Sequence, residues 1–463
     1  MTILNSCFHP NQTQSGHFNP SRFLTPVLTA AALLSPAALA DLRQVPGLSG
    51  VQAATADAVQ TICPQMVALN RQELLDPTQQ LLLRDCGQLV HTSNAQQGTG
   101  TTALSLGLSE AELRDAIQRI APEETEIMGA GSTDTAQDQL TNLQGRLQVL
   151  RTGDLGIPSS GITWSGGNQT GGAAGNGDFS RLGLFINGIY GTGEKDATQE
   201  EDGFEYDAYG LTAGLDYRFS DQWVAGIAVG LSNSEADLDN NFGAIDTDGY
   251  SLSAYGTFHS DNFYLEGSLT YGDYEYNGTR NIVYASNTAQ PAVNQVVNSD
   301  TEGDQIAYSL GAGFNNYQGQ WNYHLFARFS GIEADIDAYD ESGSELAMRV
   351  ASQSVESFQG VLGGQVYYAI SSDAGVIRPY LGLEARFELE DDKRNITAQY
   401  LFDPTSTNFT FQTEAGDEDF YLLSAGASFQ LKNGNQFYIN YDTVLDLDDV
   451  DSDTLTFGIR MEL

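Results

Sequence analysis

A chain of 463 residues with 20 basic against 61 acidic side chains, a formal charge of −41 and a pI near 4.1 has no basic stripe of the kind phosphate backbones need, which excludes nucleic-acid binding. The length exceeds the usual single-domain range, so a large unit plus a smaller one is expected. Pro is scarce at 12, Gly abundant at 49, and Tyr and Phe stand at 22 each, a mixture suited to many strands and turns rather than to helices.

The opening residues read as an export signal. Arg22 precedes an apolar run from Phe23 to Leu34, and Ala38-Leu39-Ala40 supplies the small-x-small pattern cut by signal peptidase. Residues 1–40 are therefore assigned to a signal peptide; Pro26 and Pro36 argue against a membrane-spanning helix there. Export leaves Cys63 and Cys86 as an even pair in an oxidising compartment, and a disulfide between them is expected. Two cysteines alone fall short of a zinc set. Val51 to Ile62 and Pro77 to Val90 carry apolar residues at helical spacing, so residues 41–108 form a small helical N-terminal region built on a hairpin closed by that bridge.

Ser109 with Glu112 makes a capping box, and the helix it opens ends near Ala121 because Pro122 cannot continue the hydrogen-bond ladder. A second helical stretch runs from about Asp134 to Leu150, with Leu140, Leu143, Leu147 and Leu150 in a stripe. At roughly 1.5 Å per residue it is about 25 Å long, the height of an outer-membrane barrel. Its spacing fits either the inside of a barrel or the surface of the hairpin; residues 109–151 are assigned to the first. Residues 152–178, rich in Gly, Ser, Thr and Asn, form a linker.

From residue 179 to 463 the pattern breaks into strands joined by two alternating kinds of connection. The short ones are Ser220 to Gln222, Ser260 to Asn262, Gln318 to Gln320, Ser371 to Gly375 and Lys432 to Asn435. The long acidic ones are Gly191 to Gly203, Glu235 to Asp248, Asn277 to Gly303, Asp335 to Ser352, Glu390 to Glu418 and Leu447 to Asp453. Strict interleaving gives an all-β transmembrane barrel of about 12 antiparallel strands, with short turns in the periplasm and long loops outside. Aromatics beside the short turns (Phe219, Trp223, Phe258, Phe263, Tyr317 and Trp321) are expected in the interfacial girdle. In the last strand Leu455, Phe457, Ile459, Met461 and Leu463 fall on one face and Thr456, Gly458, Arg460 and Glu462 on the other, which marks it as the terminal insertion strand.

The expected lumen face carries Arg218, His324, Arg328, Arg378, Arg386 and Arg460 with Glu266, Glu384, Glu388 and Asp442. The helix candidates carry Glu123, Glu124, Glu126, Asp134 and Asp138. The arginines can pair with acids of an inserted helix or with acids on the wall, and both arrangements are open.

Residues Phe179 to Leu463 resemble the translocator β-domain of autotransporters, the type V secretion family. The match rests on Arg181 to Gly188, Ala208 to Phe219, Asp248 to Gly256 and Leu455 to Leu463; Ala121-Pro-Glu-Glu124 and Asn142 to Leu147 resemble the helical region that precedes such barrels. The resemblance implies a twelve-stranded barrel in the bacterial outer membrane with an N-terminal helix threaded through the pore. It also implies passage by periplasmic chaperones, assembly by the barrel-insertion machinery through the final strand, and a monomeric barrel in outer-membrane lipid. The chain departs from the family in ending on Leu463 rather than Phe or Trp. It also lacks a large β-helical passenger, and it has no Asn-Asn pair in the pore helix at which serine-protease autotransporters cut themselves.

No Gly-x-Ser-x-Gly elbow, Ser-x-x-Lys, His-Glu-x-x-His or Walker loop stands out. The dense Asp446, Asp448, Asp449, Asp451 and Asp453 do not reproduce an EF-hand. The expectation is a non-enzymatic barrel without cofactor or metal that threads or displays its own short N-terminal region at the cell surface. A different class is an outer-membrane pore plugged or gated by the N-terminal helix.

Overall fold

The computed structural model describes residues 41–153, 181–198, 201–260, 262–390, 393–413, 419–432 and 434–462. The expected signal peptide, the linker from residue 154 onward and Leu463 lie outside the described residues. Twelve long strands follow one another: β1 (Leu182–Lys195), β2 (Phe204–Arg218), β3 (Trp223–Leu238), β4 (Gly243–His259), β5 (Phe263–Tyr284) and β6 (Val293–Gln318). Then come β7 (Trp321–Ile336), β8 (Gln353–Tyr368), β9 (Gly375–Glu388), β10 (Asp419–Leu431), β11 (Gln436–Leu445) and β12 (Val450–Glu462). Each pairs antiparallel with its chain neighbours, and β1 closes on β12 from Gly183 opposite Glu462 to Lys195 opposite Val450. Closure leaves no strand edge, the condition for backbone to cross hydrocarbon without orphaned N–H and C=O groups.

Alternation decides which side of the wall meets lipid. On β3 the outward residues Trp223, Ile227, Val229 and Leu231 are exposed, and the next ones at the same parity are Asn233, Glu235 and Asp237. On β6 Leu310, Tyr308 and Ile306 give way to Asp304, Glu302 and Asp300. The switch from apolar to acidic marks the outer limit of the lipid band, but the ladder continues past it. Two of the expected long loops are therefore mostly strand: β3 and β4 are joined only by residues 239–242, and β5 and β6 by 285–292. The acidic outward residues gave these stretches the composition of loops, while their inward partners (Ile245, Tyr274, Tyr276, Val297) kept the alternation of a strand. The last connection likewise shrinks to residues 446–449. The two longest loops instead fold into a separate four-stranded sheet of Tyr339–Asp340, Met348–Val350, Asn395–Tyr400 and Phe409–Gln412.

At the short-turn end Trp223 packs on Phe258 with ring centroids 4.9 Å apart and Trp321 on Tyr368 at 4.8 Å, while Phe219 and Phe263 are exposed. Tyr317 differs from expectation: it shares the inward parity of Gly311 and Gly313 and lies near Arg378, so it leaves the lipid girdle for the lumen.

Four helices precede the barrel: α1 (Gly50–Asn70), α2 (Pro77–Gln97), α3 (Glu110–Arg119) and α4 (Glu124–Gly153). Ser49, Asp76 and Ser109 each close a capping box, and Gly98 ends α2 in the left-handed conformation at φ 68°. A disulfide between Cys63 and Cys86, with Cα atoms 6.0 Å apart, joins α1 to α2. Among the described helices only α4 occupies the lumen. α3, assigned by sequence to the pore segment, packs instead on α1, α2 and β5. Ile120, Ala121 and Pro122 break the helix, and the apolar side of α3 (Leu113, Ala116, Ile117) is buried in the cap core. The pore helix also begins ten residues before the expected Asp134. Its 30 residues span about 45 Å, longer than the lipid band is tall.

Leu381, 64 % exposed, lies at the middle of the lipid face of β9. Leu381→Arg is expected to destabilise the barrel in bilayers by about 2–4 kcal/mol, read as a shifted urea unfolding midpoint. The change Ser424→Thr on the inward face, which keeps the hydroxyl that donates to Asp442, leaves the midpoint nearly unmoved.

Candidate functional site: the helix-filled lumen and its cap

α4 seats asymmetrically. Leu143, Leu147 and Leu150 are buried with Phe185, Val224, Ala228 and Tyr255, and Ala136 and Leu140 with Ala307 and Ile332. The leucine stripe therefore lies against the wall of β1, β3, β4, β6 and β7. Polar contacts fix its height. Arg146 pairs with Asp216 on β2 through Nε–Oδ2 at 2.9 Å, its guanidinium stands 5.1 Å from the Phe185 ring centroid, and Tyr255 donates to the same carboxylate at 3.3 Å. Higher up, Gln139 accepts from Thr212 at 2.7 Å and donates to Ser253 at 3.0 Å, while Asn187 donates to the Asn142 carbonyl at 3.0 Å. Ser132 and Tyr276 hydroxyls meet at 2.8 Å. Gly129 lies directly against the Arg394 guanidinium, so α4 and that side chain meet closely at this level.

The eight lumen-facing charges named from sequence sit as follows. Arg328, Arg378, Glu384, Arg386, Asp442 and Arg460 are buried on the inner face, and Arg218 and Glu388 are half-buried. Arg328 and Arg386 both bind Glu384, at 2.8 and 3.1 Å. Arg378 donates to Gln430 at 3.4 Å, Asp442 accepts from Ser424, and Glu388 accepts from Ser357 and the Phe358 amide. Arg460 lies beside Gly183, as Asp216 does. Of the two open arrangements, wall-to-wall pairing therefore takes Arg328 and Arg386. The helix contributes a cation, Arg146, to a wall carboxylate. Its acid Glu124 meets a different arginine, Arg280 on β5, at 3.3 Å. In the terminal strand Leu455, Phe457, Ile459 and Met461 are exposed outward, and Thr456 and Arg460 are buried inward.

Sequence reasoning missed the partners that matter most. Asp216 stands two residues before Arg218 at the same inward parity and was legible. Arg280 and Glu341 fell in stretches read as loops. In the structure Arg280 Nη2 binds Glu341 Oε2 at 2.6 Å and that carboxylate also accepts the Met348 amide at 2.6 Å, so one buried arginine ties α4, β5 and the loop sheet together.

Above this junction, α1 to α3 form a cap on the long-loop end. Its core residues Val59, Ile62, Leu89 and Ile120 belong to one buried cluster with Tyr284 and Val293 at the ends of β5 and β6 and with Leu346, Tyr400 and Phe411 of the loops. Gln88 donates to the Pro291 carbonyl at 3.2 Å, and Arg84 bridges Asp85 and Glu345, the latter at 3.2 Å.

Arg146→Ala removes the cation that pairs with buried Asp216, a loss of about 3–5 kcal/mol. The expected readout is faster hydrogen exchange across α4 in the refolded protein. The double change Arg146→Met with Asp216→Leu restores most of the protection, because an apolar pair of similar volume carries no desolvation penalty.

Residues 184–442, more than half the chain, match the family described as autotransporter beta-domain. The chain is 26 % identical over 231 residues to the esterase EstA of Pseudomonas aeruginosa, covering 48 % of this chain and 34 % of that protein. It is 23 % identical over 367 residues to outer membrane protein A of Rickettsia conorii, covering 76 % and 17 %. It thus spans no more than about a third of the length of these curated relatives. Among solved structures, the translocator domain of the autotransporter NalP from Neisseria meningitidis aligns with a TM-score of 0.51 at 16 % identity, over 72 % of this chain and 98 % of that one. That likeness is one of fold. A closed twelve-stranded barrel with a polar, helix-filled lumen and a match across its strands places this chain in the autotransporter β-domain family of the bacterial outer membrane.

Proposed function

We propose that this barrel carries its own N-terminal helical region to the cell surface and keeps it there as a docked cap, without enzymatic activity of its own. The observation that carries the reading is the shared apolar core: α1 to α3 bury their side chains against strand ends and loops that belong to the barrel. A cap that separated from the barrel would expose both halves of that core to water, at roughly 25 cal/mol per Å² of apolar area. The path of α4 supports the same direction. Glu124 lies at the long-loop end beside Arg280, whereas Arg146 lies near the short-turn end of β2 beside Asp216. The helix therefore runs down the lumen from the cap toward the short-turn end. Lipid is the solvent of the exposed outer face, and the assembly machinery and periplasmic chaperones that handle such barrels are the partners this reading assigns.

A pore gated by α4 is the second reading, favoured by a cavity of about 680 Å³ left beside the helix. One experiment separates them. An epitope inserted at Gly98, which has open space around it, is expected to be reached by antibody and protease on intact cells, while the same epitope in the 432–435 turn stays protected. Shielding of both until the outer membrane is broken overturns display and leaves the pore.

The cap also carries a pH signature. Burial pushes the Asp85 carboxyl up to about 6, with Arg84 opposing and Glu345 adding to the rise. The folded cap then binds a proton more tightly than the unfolded chain, so this contribution to docking is whole below the ordinary value of 3.8 and lost as pH rises through about 6. Hydrogen-exchange protection of α2 is expected to fall from about pH 4 to about pH 7, and Asp85→Asn to flatten that fall.

A further inference from the structure

We infer that the cavity beside α4 is a binding site for a linear aliphatic polyamine. α4 leans on one half of the wall, and the space it leaves faces β8 to β12 and the upper ends of β1 and β2, with Asp442 on the wall below Asp448 and Asp449 at the long-loop rim. Asp134 and Asp138 of α4 face this space, one exposed and one half-buried although both lie inside the barrel, and no ion pair or hydrogen bond joins either to another described residue. Like charges one turn apart destabilise a helix, and a pair left without cations in a lumen calls for a mobile counter-charge.

Of the cations that line the same cavity, Lys393 stands exposed at the long-loop rim and the other three are engaged. Lys195 pairs with Glu201, Arg386 with Glu384, and Arg394 reaches the Glu126 carbonyl. A separate observation lies further up the same row of α4: Glu126, 6 % exposed, lines the cavity with Oε2 lacking any hydrogen bond. Glu126, Asp134 and Asp138 are spaced four or eight residues apart, so the row presents carboxylates about 6 and about 12 Å apart along the axis.

That spacing selects the ligand class. A point ion needs convergent oxygens, and among the described residues no three acidic, His or Cys side chains converge on a metal position. A chain of ammonium groups separated by short methylene spacers matches carboxylates set at intervals, its methylenes lying along Ala130 and the Thr133 methyl. Entry is from the long-loop end, on the side away from β5, where α3 packs.

The test is calorimetric titration of spermidine into the full chain, refolded in zwitterionic detergent at about 150 mM salt so that long-range surface attraction is screened. Saturable 1:1 binding is expected. It should weaken at least about tenfold in Asp134→Asn with Asp138→Asn and stay unchanged in Asp246→Asn with Asp248→Asn on the outer acidic collar. Magnesium at equal ionic strength is not expected to displace the ligand. Absence of saturable binding, equal weakening in both double variants, or displacement by magnesium overturns the proposal, because each leaves only the attraction of a chain with charge −41. Heat-modifiable migration on gels checks that each variant is folded, and the single change Asp138→Asn replaces the double one if the latter is not. The outcome is independent of surface display, which the epitope experiment reads by itself.

Discussion

Everything in this molecule depends on the seam between β1 and β12. Thirteen residue pairs join the first barrel strand to the last, and without them both edges would present unpaired N–H and C=O groups to lipid, where no water can satisfy them. Closure at twelve strands then sets the width of the lumen. The inward side chains are mostly polar, so the space has to be filled by something that can meet hydrogen bonds on one side and apolar patches on the other. A single amphipathic helix does this for half the circumference.

The helix and the wall divide the electrostatics between them. On the β7–β11 side the wall supplies several of its own partners: Glu384 takes two arginines, Asn440 accepts from Tyr380, and Asp442 is held by Ser424 and Asn440. On the β1–β7 side the helix supplies what the wall lacks, with Arg146 for Asp216, Gln139 between Thr212 and Ser253, and Ser132 for Tyr276. Each of these is buried, so each would leave a costly orphan if the helix were displaced. Seating is consequently specific in height as well as in face. Asp134 and Asp138 of α4 are left on the side that faces the open cavity.

The upper half of the barrel departs from a simple membrane slab. β5 and β6 run well past the apolar band and carry tyrosines and aliphatics inward at a level where their outer faces are acidic. These inward residues are the floor on which α1 to α3 rest. Arg280, held between Glu124 and Glu341, stands at the point where pore helix, strand and loop sheet meet. The cap, the disulfide within it and the helix below it form one continuous buried structure with the barrel.

Much of this was written in the sequence. Period-two alternation, turn parity and capping boxes are local signals, and they placed the barrel and the Ser109 helix start, while the even cysteine count pointed to the disulfide. What the sequence could not fix was anything that depends on which two distant surfaces meet. Strand extensions hid behind loop-like composition because the medium outside them changes from lipid to water while the ladder does not. α3 went to the cap and α4 to the lumen because one leucine-rich face found its complement on the loop ends and the other on the inner wall, and two amphipathic helices look alike until their partners are present. The pairing of Arg146 with Asp216, and of Arg328 with Glu384 instead of a helix acid, was decided by distance within the closed barrel, since charge alone permitted either arrangement.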